Sequence, residues 1–534
     1  MQYLVSAGQM KEYDADTIQN IKIPSLVLME RAAWATAQEI CRRFPKGLET
    51  GGLRGKIRVL VVSGVGNNGG DGFAVGRILQ EHGYEVSYTL IGEEAKCSAE
   101  TRMQIEILEN SGVSIAQSLP QKQEPFDVIV DALFGIGLSR ELTGAYREAV
   151  EWINASGGYV VSADIPSGIH ADTGAVMGCA VRADLTVTYG YRKTGLIFYP
   201  GADYAGELIC SKIGISYRKG LTKPLAFTYE RSDFARIPAR KNDGNKGSFG
   251  KVLVIAGSRR MYGACQFAAL GAYRIGAGLV RVLTARENRE LLLAALPEAI
   301  VDAYDGGIPE DILGQAIRWA DCVVAGPGIG TDAKAEAFME RIWNECAVNG
   351  AMPLVIDADG LNILAEHPQW LARYAQRVTT DEEQDCRVYF TPHMGEFARL
   401  AKKSIKCCKE ERIKEVIEYA EENRVILVSK DARTVIADPQ GELYINTSGD
   451  NGMATGGSGD VLAGMLAGLL AQGMRGIEAA AMAAYLHGLC GNNASAKKTP
   501  YCVMAGDLLE ELPEVMRLAH RGGLEKEHGR HKRK

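Results

Sequence analysis

The chain has 534 residues, more than one hydrophobic core usually supports, so its length predicts two to four domains and excludes a single small module. Hydrophobic residues make up 46% and charged residues 24% of the sequence, which is typical of globular proteins and excludes wholesale disorder. The formal net charge of -6 gives no electrostatic reason to bind nucleic acid or an anionic membrane, so neither partner is predicted.

Cysteine usage and the amino-terminal residues indicate the compartment. The 12 cysteines include no CxxC pair and no zinc-site spacing with histidine, so we interpret them as reduced thiols. The first residues lack the basic and apolar segments of a secretory signal. The most apolar predicted helix, residues 461–470, is shorter than the roughly 20 residues that span a bilayer. We therefore expect a soluble, cytoplasmic protein.

Short β-branched runs alternate with helical patterns along the chain, which predicts parallel sheets covered by helices on both faces. In the first half, predicted strands cover 57–63, 85–91, 127–131, 159–164, 185–189 and 207–213, and predicted helices 25–44, 71–82, 99–110 and 145–154. Residues 216–250 are polar and rich in turn formers, which indicates a boundary. Further strands are predicted over 251–256, 279–284, 321–325, 354–357, 388–391 and 425–429, then a hairpin over 433–446 and helices. We predict two α/β domains joined near residue 220.

A glycine-rich loop, SGVGNNGGDG, follows the first predicted strand. Three of its glycines satisfy the GxGxxG pattern, so a nicotinamide-dependent dehydrogenase is one interpretation. Asn67, Asn68 and Asp71 instead place polar side chains where they can hold sugar hydroxyls or a cation. A simple Asn-Gly turn is the alternative, but the two Asn, two Gly and one Asp together favour a ligand site.

Two further predicted strands end in Asp131 and Asp164, each followed by a glycine-containing loop. Because the carboxyl ends of parallel strands gather ligands, we expect Asn68, Asp131, Asp164 and Ser167 to converge. For each aspartate alone, a helix cap or turn is the alternative. Oxygen ligands without His or Cys suit a hard cation better than zinc.

Several segments of the first half occur together: DADTIQNIKIPSLVLMERAA, GVGNNGGDG, DALFGIGL, DIPSGI with DTG, and YGYRKTGLIFYPGADYAGELICSKIGI. As a set they resemble the NAD(P)H-hydrate epimerase family over about residues 1–216. The resemblance implies a Rossmann-like three-layer α/β/α fold, epimerisation of hydrated nicotinamide cofactors, and a potassium ion ligated by Asn68, Asp131 and Ser167. The implied substrate contacts are Asn67, Asn68, Gly69, Gly70, Asp71, Gly135, Ile136, Gly137, Leu138, Ser139, Arg140, Glu141, Tyr146 and Asp164.

Within this implied site, Asp164 is our candidate for the general acid/base, because inversion next to a ring nitrogen needs reversible proton transfer. Lys193, in the RKTG turn, either holds the cofactor phosphates, assists that transfer, or is an ordinary surface lysine.

In the second half, a glycine-rich turn containing Ser458 opens into an apolar helix within GDNGMATGGSGDVLAGMLAGLL. Exposed amides of this turn, with the positive helix end, would stabilise a phosphoryl group in transit. Asp460 can accept the proton of a hydroxyl being phosphorylated. A helix cap would explain the GD pair alone, but TGGSG favours an anion site.

Upstream, VVAGPGIG, VIDADGLNIL and YFTPHMGEFARL place glycine, aspartate and histidine beyond predicted strand ends, where a second ligand site is expected. His393 is the strongest functional candidate among the eight histidines, and a hydrogen-bonded turn histidine is its alternative. Lys430, which ends the strand VILVS, either neutralises a nucleotide phosphate or is a strand-end surface lysine.

These pieces occur together with KGSFGKVLVIAGS, MYGA, YRIGAGLV, LPEA and YLHG, and as a set they resemble the NAD(P)H-hydrate dehydratase branch of the ribokinase superfamily over about residues 235–512. The resemblance implies a ribokinase-like fold that phosphorylates the S-hydrate with ADP or ATP and Mg2+ and then eliminates phosphate. The implied substrate contacts are Ala264, Gly328, Gly330, His393 and Asp460. The implied nucleotide contacts are Lys430, Asp431, Ala432, Arg433, Thr434, Gly456, Gly457, Ser458 and Gly459.

Two stretches depart from this resemblance. The family has glycine after the lysine where this chain has Asp431, and a carboxylate beside a phosphate is unfavourable unless it points away. Residues 405–413, with adjacent Cys407 and Cys408, fit no motif of the family.

The whole chain thus resembles the bifunctional hydrate-repair family. We predict an epimerase domain over 1–219, a dehydratase domain over 226–515 and a basic tail over 516–534. The alternatives are a ribokinase-type vitamin or sugar kinase fused to a cofactor-binding domain, and a first half that binds cofactors without turnover. Whether the chain forms a homo-oligomer stays open.

Overall fold

The computed structural model describes residues 1–45, 56–120, 125–305, 310–348, 352–378 and 386–531. The chain forms two compact units. One is Tyr3–Leu225, and the other is Ala226–Lys534 together with Met1 and Gln2. The predicted α/β class is confirmed for both units.

The amino-terminal unit contains a seven-stranded parallel sheet in the order β4-β3-β2-β5-β6-β7-β9, and a separate parallel pair, β1 with β8. The strands are β1 Gln2–Val5, β2 Arg58–Ser63, β3 Glu85–Leu90, β4 Ile115–Ala116, β5 Val128–Ala132, β6 Tyr159–Ala163, β7 Leu185–Tyr189, β8 Arg192–Lys193 and β9 Glu207–Ser211. The helices are α1 Ala7–Gln19, α2 Ser25–Arg43, α3 Asn67–Glu81, α4 Ala99–Asn110, α5 Gly144–Ala155 and α6 Gly201–Tyr204.

Strand β2 shows why this unit has three layers. Its side chains alternate between the two faces of the sheet, as the pleat requires. Val59 and Val61 pack into a core that includes α2, α3 and α4. Leu60 and Val62 pack into a second core that includes α5. Both sheet faces are therefore covered by helices, and the predicted α/β/α arrangement is confirmed.

The carboxyl-terminal unit contains ten consecutive strands of one sheet, in the order β13-β12-β11-β14-β15-β16-β17-β18-β19-β10. Pairing is parallel except at β17–β18 and β18–β19, which confirms the predicted hairpin. The strands are β10 Ala226–Thr228, β11 Lys251–Ile255, β12 Leu279–Ala285, β13 Ile300–Tyr304, β14 Cys322–Ala325, β15 Leu354–Ile356, β16 Val388–Phe390, β17 Ile426–Ser429, β18 Val435–Ala437 and β19 Leu443–Ile445.

Twelve α-helices are described in this unit: α7 Tyr262–Arg274, α8 Arg289–Ala295, α9 Glu310–Trp319, α10 Ala333–Ile342, α11 Asp359–Glu366, α12 Pro368–Val378, α13 Met394–Ala401, α14 Ile405–Glu410, α15 Arg412–Asn423, α16 Ser458–Ala471, α17 Gly476–Lys498 and α18 Ala505–His531. Residues 516–531, which we predicted as the start of a basic tail, continue α18. Residues 532–534 of that prediction lie outside the described residues.

Helix α16 is apolar on all sides and packs tightly against α7. A Cβ added at Gly464 would lie 2.0 Å from the Ala268 carbonyl oxygen, and one at Gly271 would lie 2.6 Å from the Val461 oxygen. The two backbones can approach this closely only because both positions are glycine. This contact fixes the helix that follows the glycine-rich turn.

Candidate active sites

The first site begins at the loop between β2 and α3. Helix α3 starts at Asn67, four residues before the predicted start, so the polar residues of the loop form its first turn. Asn68 is buried, and neither its Oδ1 nor its Nδ2 has a hydrogen-bond partner among the described residues. Because a buried amide without partners is costly, this side chain is suited to meet a ligand.

Asp131 lies at the carboxyl end of β5 and is fully buried. Its carboxylate accepts hydrogen bonds from the Ser162 hydroxyl at 2.7 Å, and from the Ser167 amide at 2.9 Å and hydroxyl at 2.6 Å. Burial raises the pKa of Asp131, and these hydrogen bonds oppose the rise.

The residues of the predicted potassium site suit a hard cation. Asn68, Asp131 and Ser167 offer amide, carboxylate and hydroxyl oxygens, the donor types that such ions prefer. The unpartnered Asn68 amide is the observation that favours a ligand there.

Asp164 follows β6 with φ of 67°, a left-handed conformation that is unusual for a residue with a side chain. Its Oδ1 accepts from Lys193 Nζ at 2.6 Å, Thr188 Oγ1 at 3.1 Å and the Tyr189 amide at 3.2 Å. The Lys193 side chain is only 1% exposed. Lys193 is therefore a buried partner of Asp164, and the surface-lysine alternative is wrong.

A cavity of about 560 Å³ opens beside these groups. The predicted substrate contacts that line it are Asn67, Asn68, Asp71, Gly135, Ile136, Gly137, Leu138, Asp164 and Lys193. The predicted contacts that lie outside its lining, all within the described part of the chain, are Gly69, Gly70, Ser139, Arg140, Glu141 and Tyr146. Tyr146 packs edge-on against Phe134, which does line the cavity, with 4.7 Å between ring centroids.

Three carboxyl groups of the cavity lie in different surroundings. Asp71 accepts no hydrogen bond from the described residues, and burial together with the charges of Asp164 and Asp14 raises its pKa well above the ordinary value. Burial and Glu100 also raise the pKa of Asp14. Asp164 is instead bonded to a buried ammonium group. The cavity therefore places two carboxyl groups whose surroundings raise their pKa beside a third that is paired with a lysine, an arrangement typical of acid/base sites.

Asp14 and Glu100 were not predicted from the sequence. Asp14 begins the DADTIQN segment of α1, which contributed to the family resemblance without a site role, and Glu100 lies on α4, which carries no motif. The fold brings both residues to the cavity.

In the carboxyl-terminal unit, Lys430 connects three of the predicted segments. Its Nζ donates to Asp357 Oδ1 at 2.8 Å, and its backbone amide donates to the Pro392 oxygen at 2.8 Å. A Cβ added at Gly459 would lie 3.0 Å from Lys430 Nζ and 3.5 Å from Asp357 Oδ2. The DADGLN, TPHMGE and GGSG segments therefore meet at this lysine.

Asp460 lies in the first turn of α16, beside this lysine. Burial raises its pKa to about 7, and the charge of Asp357 adds to the effect while Lys430 opposes it. A carboxyl group with this pKa can exchange a proton near neutral pH, as a general base requires.

The glycine-rich turn is supported by a neutral histidine. Gly457 caps α16 with φ of 92°, a conformation that glycine adopts readily. Ser458 Oγ lies 3.4 Å from His487 Nε2. Burial, assisted by Lys430, lowers the pKa of His487 to about 4, so its ring is neutral at pH 7. The space around Gly456 is open, with no atom of the described residues within 4 Å of an added Cβ.

His393 caps helix α13. Its Nδ1 accepts from the amides of Gly395 at 3.0 Å and Glu396 at 3.3 Å, and its own amide donates to Glu396 Oε2 at 2.8 Å. On its Nδ1 side, His393 is therefore the hydrogen-bonded turn histidine that was given as the alternative. Its side chain is still 57% exposed, so the ring also faces solvent.

The GPGIG turn lies against the start of α7. A Cβ added at Gly328 would lie 3.0 Å from the Ala264 Cβ, and the Gly330 amide donates to Asp359 Oδ2 at 2.9 Å. The predicted substrate contacts Ala264, Gly328 and Gly330 are thus neighbours. Asp357 and Asp359, which the sequence showed only within the DADGLN motif, are the residues that tie these turns together.

The remaining predicted nucleotide contacts follow Lys430. Asp431 pairs with Arg412 at 3.2 Å, Ala432 is exposed, and Arg433 is half-buried. The Thr434 carbonyl accepts from the Asn446 amide at 2.8 Å.

Within the described residues, no group of three or more His, Cys, Asp or Glu side chains is arranged to hold a metal ion. None of the described helices combines the length and apolar character needed to cross a bilayer.

Comparison with known proteins assigns the chain to a family. A model described as NAD(P)H-hydrate dehydratase matches residues 252–514, and one described as YjeF-related protein N-terminus matches residues 25–195. The bifunctional NAD(P)H-hydrate repair enzyme Nnr of Thermofilum pendens is 35% identical over 96% of this chain and 95% of its own length. The chain belongs to the bifunctional NAD(P)H-hydrate repair enzyme family. This confirms the resemblance predicted from the sequence.

Another member of the family, from Moorella thermoacetica, is also 35% identical, over 96% of this chain and 97% of its own length. Among solved structures, an ADP/ATP-dependent NAD(P)H-hydrate dehydratase from Bacillus subtilis, co-crystallised with ATP and Mg2+, is 26% identical. It covers 56% of this chain and 100% of its own, with a TM-score of 0.47. The predicted function, hydrate repair by an epimerase and a dehydratase, is confirmed as that of the family.

Proposed function

We propose that the chain repairs hydrated NADH and NADPH in two steps, with the sites placed as predicted. The amino-terminal unit interconverts the R and S hydrates, and the carboxyl-terminal unit dehydrates the S form with ADP or ATP. The observation that carries this proposal is the same in both units: a lysine ion-paired to a strand-end aspartate, Lys193 with Asp164 and Lys430 with Asp357.

In the first site, Asp164 takes the proton of the hydroxyl group on the hydrated ring carbon. As the carbonyl forms and the carbon–nitrogen bond opens, the carboxyl group of Asp71, whose pKa is raised by burial, gives its proton to the ring nitrogen. Closure on the opposite face, with both protons returned, yields the other epimer. Lys193 donates to Asp164 Oδ1 and orients its carboxyl group in the site.

Asn68, Asp131 and Ser167 would hold the potassium ion, which when bound supplies positive charge near the substrate. The buried amide of Asn68 supports this assignment.

In the second site, the amides from Gly456 to Gly459 and the amino-terminal end of α16 hold the phosphates of a magnesium nucleotide. Asp460 accepts the proton of the substrate hydroxyl while the terminal phosphoryl group moves to that oxygen. Phosphate then leaves with the electrons of its carbon–oxygen bond, the adjacent ring carbon loses a proton to solvent, and the dihydronicotinamide is restored. Ala264, Gly328, Gly330 and His393 contact the substrate.

The two activities complement each other, because the dehydratase consumes one epimer and the epimerase regenerates it from the other. The 12 free cysteines support a cytoplasmic location, where thiols stay reduced.

The test is to add the chain to racemic hydrated NADH, with and without ADP, and to follow dihydronicotinamide absorbance. With ADP, both epimers should be consumed. Asp164→Asn should leave the R epimer behind, whereas a cofactor-binding module would leave it behind even in the parent chain. A vitamin or sugar kinase would yield no dihydronicotinamide, and a stable phosphorylated product would accumulate instead.

A further inference from the structure

Two sequence features that the family resemblance leaves unexplained meet in the structure. Asp431 replaces the expected glycine after Lys430, and residues 405–413 match no motif of the family. Arg412 lies in that stretch and begins α15. Its Nη1 lies 3.2 Å from Asp431 Oδ2. The unassigned stretch therefore supplies the partner of the unexpected carboxylate.

Arg412 contacts the residues on both sides of Lys430. Besides the ion pair with Asp431, its Nη2 donates to the Ser429 carbonyl oxygen at 3.4 Å. The guanidinium group is largely enclosed, since the side chain is 11% exposed, compared with 31% for Asp431. Burial lowers the pKa of Arg412, and the charge of Asp431 opposes that change. The Asp431 carboxylate therefore stabilises the charged form of the buried guanidinium group.

The corner that presents Arg412 is itself anchored. The Ser404 hydroxyl accepts from the Cys407 amide at 3.1 Å and caps α14. Lys403 forms an ion pair with the buried carboxylate of Glu415 on the first turn of α15. Cys408 is fully buried beneath the corner. These contacts hold α14 and the start of α15 in a defined position beside the Lys430 loop.

We propose that Arg412 is a positioning residue for the nucleotide site, which draws the Asp431 carboxylate away from the phosphates and holds the backbone around Lys430. The proposal rests on the proposed function, because it requires residues 430–434 to meet a nucleoside di- or triphosphate. An unpaired carboxylate at position 431 would repel that polyanion, whereas the ion pair removes most of the repulsion. Paired with Arg412, Asp431 thus takes the place of the uncharged glycine of the family.

The test is a set of variants of the full chain, with the ADP dissociation constant measured by calorimetry and the dehydration kinetics measured at saturating S-hydrate. Arg412→Met keeps the length of the side chain and removes its charge. We expect it to raise the dissociation constant and KM for ADP by about tenfold or more, with kcat within about twofold of the parent. Adding Asp431→Gly to this variant should restore ADP binding to within about threefold of the parent.

Two further variants separate this role from a general structural one. Lys403→Met breaks the other ion pair of the same corner, away from the loop, and should not reproduce the loss of ADP affinity. Asp431→Asn removes the repelling charge while keeping Arg412, and should tighten ADP binding by about two- to threefold. Asp431→Asn remains informative even where Arg412→Met does not fold.

The proposal is overturned if the double variant binds ADP no better than Arg412→Met, or if Lys403→Met weakens binding equally. It is also overturned if Asp431→Asn loses affinity, because Asp431 would then contact the nucleotide or its metal directly. Failure of the parent chain to bind ADP would instead refute the proposed nucleotide site.

Discussion

Each candidate active site has a lysine paired with an aspartate at the carboxyl end of a strand. Lys193 donates to Asp164 and Lys430 to Asp357, and both lysines were ambiguous in the sequence. A buried charge must be paired, so burial decides between a surface lysine and a site lysine. Burial of a single side chain depends on tertiary packing, which is why the sequence left both alternatives open.

Asp460 is the residue whose substitution tests the dehydratase chemistry most directly. As a general base it should contribute about 10²–10⁴-fold, so we expect Asp460→Asn to lower the dehydration rate by that factor. ADP binding should persist, because the amides of the glycine-rich turn are unchanged. Epimerisation in the same preparation is the internal control, and loss of both activities would indicate misfolding instead of a lost base.

The pKa of Asp460 also predicts a pH dependence. A base must be ionised, and the folded chain holds the Asp460 pKa at about 7. The dehydration rate should therefore rise with pH, about tenfold per unit below that value, and level off above it. Dehydration kcat at saturating ADP and S-hydrate, measured over this range, checks the prediction. A rate that falls as the pH rises through 7 would contradict a basic role.

At the scale of elements, the sequence predicts the central strands of the sheets well and the short or edge strands poorly. The predicted strand 185–189 and helix 99–110 have the same bounds as β7 and α4. For most other predicted elements, the predicted and observed ends differ by one or two residues. Helix α3 begins earlier than predicted: its first turn contains asparagines and glycines, which are poor helix formers, but Gly70 packs closely against Met29 and Gly72 against Ala132. A Cβ at Gly69 would lie 1.8 Å from the Gly64 oxygen. Strands β1, β4, β8 and β10 were missed, since two to four residues carry too little periodicity. The five-residue edge strand β13 was also missed, and none of its side chains is fully buried.

The candidate sites followed the same pattern. Asp131 and Asp164 were predicted as site residues because they lie at the ends of buried strands, where ligands gather. Asp164 lines the cavity, and the role of Asp131 stays a prediction. Asp14 could not be predicted, because no local pattern shows that α1 packs beside the cavity and brings this residue to it.

The close packing of α16 on α7 predicts a large effect of a single methyl group. Gly464→Ala would place a Cβ 2.0 Å from the Ala268 carbonyl oxygen, so the helices must separate. We expect the free energy of unfolding to fall by about 1–3 kcal/mol, measured by urea denaturation. Gly506→Ala is the matched control on α18, where an added Cβ meets no atom of the described residues within 4 Å. It should be neutral or stabilising by about 0.5–1 kcal/mol, and equal losses for both variants would contradict the packing argument.

At the scale of the whole molecule, the two chemistries lie in separate compact units, Tyr3–Leu225 and Ala226–Lys534 with Met1 and Gln2. Each of the two candidate sites draws its residues from one unit alone. Residues assigned to one site should therefore affect one activity. The first unit ends at Leu225, six residues after the predicted end of the first domain at 219.

The contacts of residues 220–225 determine where the chain can be cut. Residues 220–225 pack within the amino-terminal unit: Tyr13 donates to the Thr222 oxygen at 2.5 Å, and Gln9 to the Lys223 oxygen at 2.6 Å. A fragment that ends at residue 219 loses both acceptors and leaves the buried Tyr13 hydroxyl without its partner. We expect fragment 1–225 to unfold cooperatively with an epimerase rate close to that of the full chain. Fragment 1–219 should be less stable by about 1–3 kcal/mol in urea.

Fragment 226–534 should fold and dehydrate the S-hydrate with ADP, and it should leave the R epimer unchanged. Mixing it with fragment 1–225 should restore consumption of both epimers, because the S-hydrate diffuses between the two sites. If 1–219 and 1–225 are equally stable, residues 220–225 do not contribute to the first unit. If either longer fragment is insoluble while the full chain is folded, the two units depend on each other, and the separation of activities must be tested by single substitutions instead.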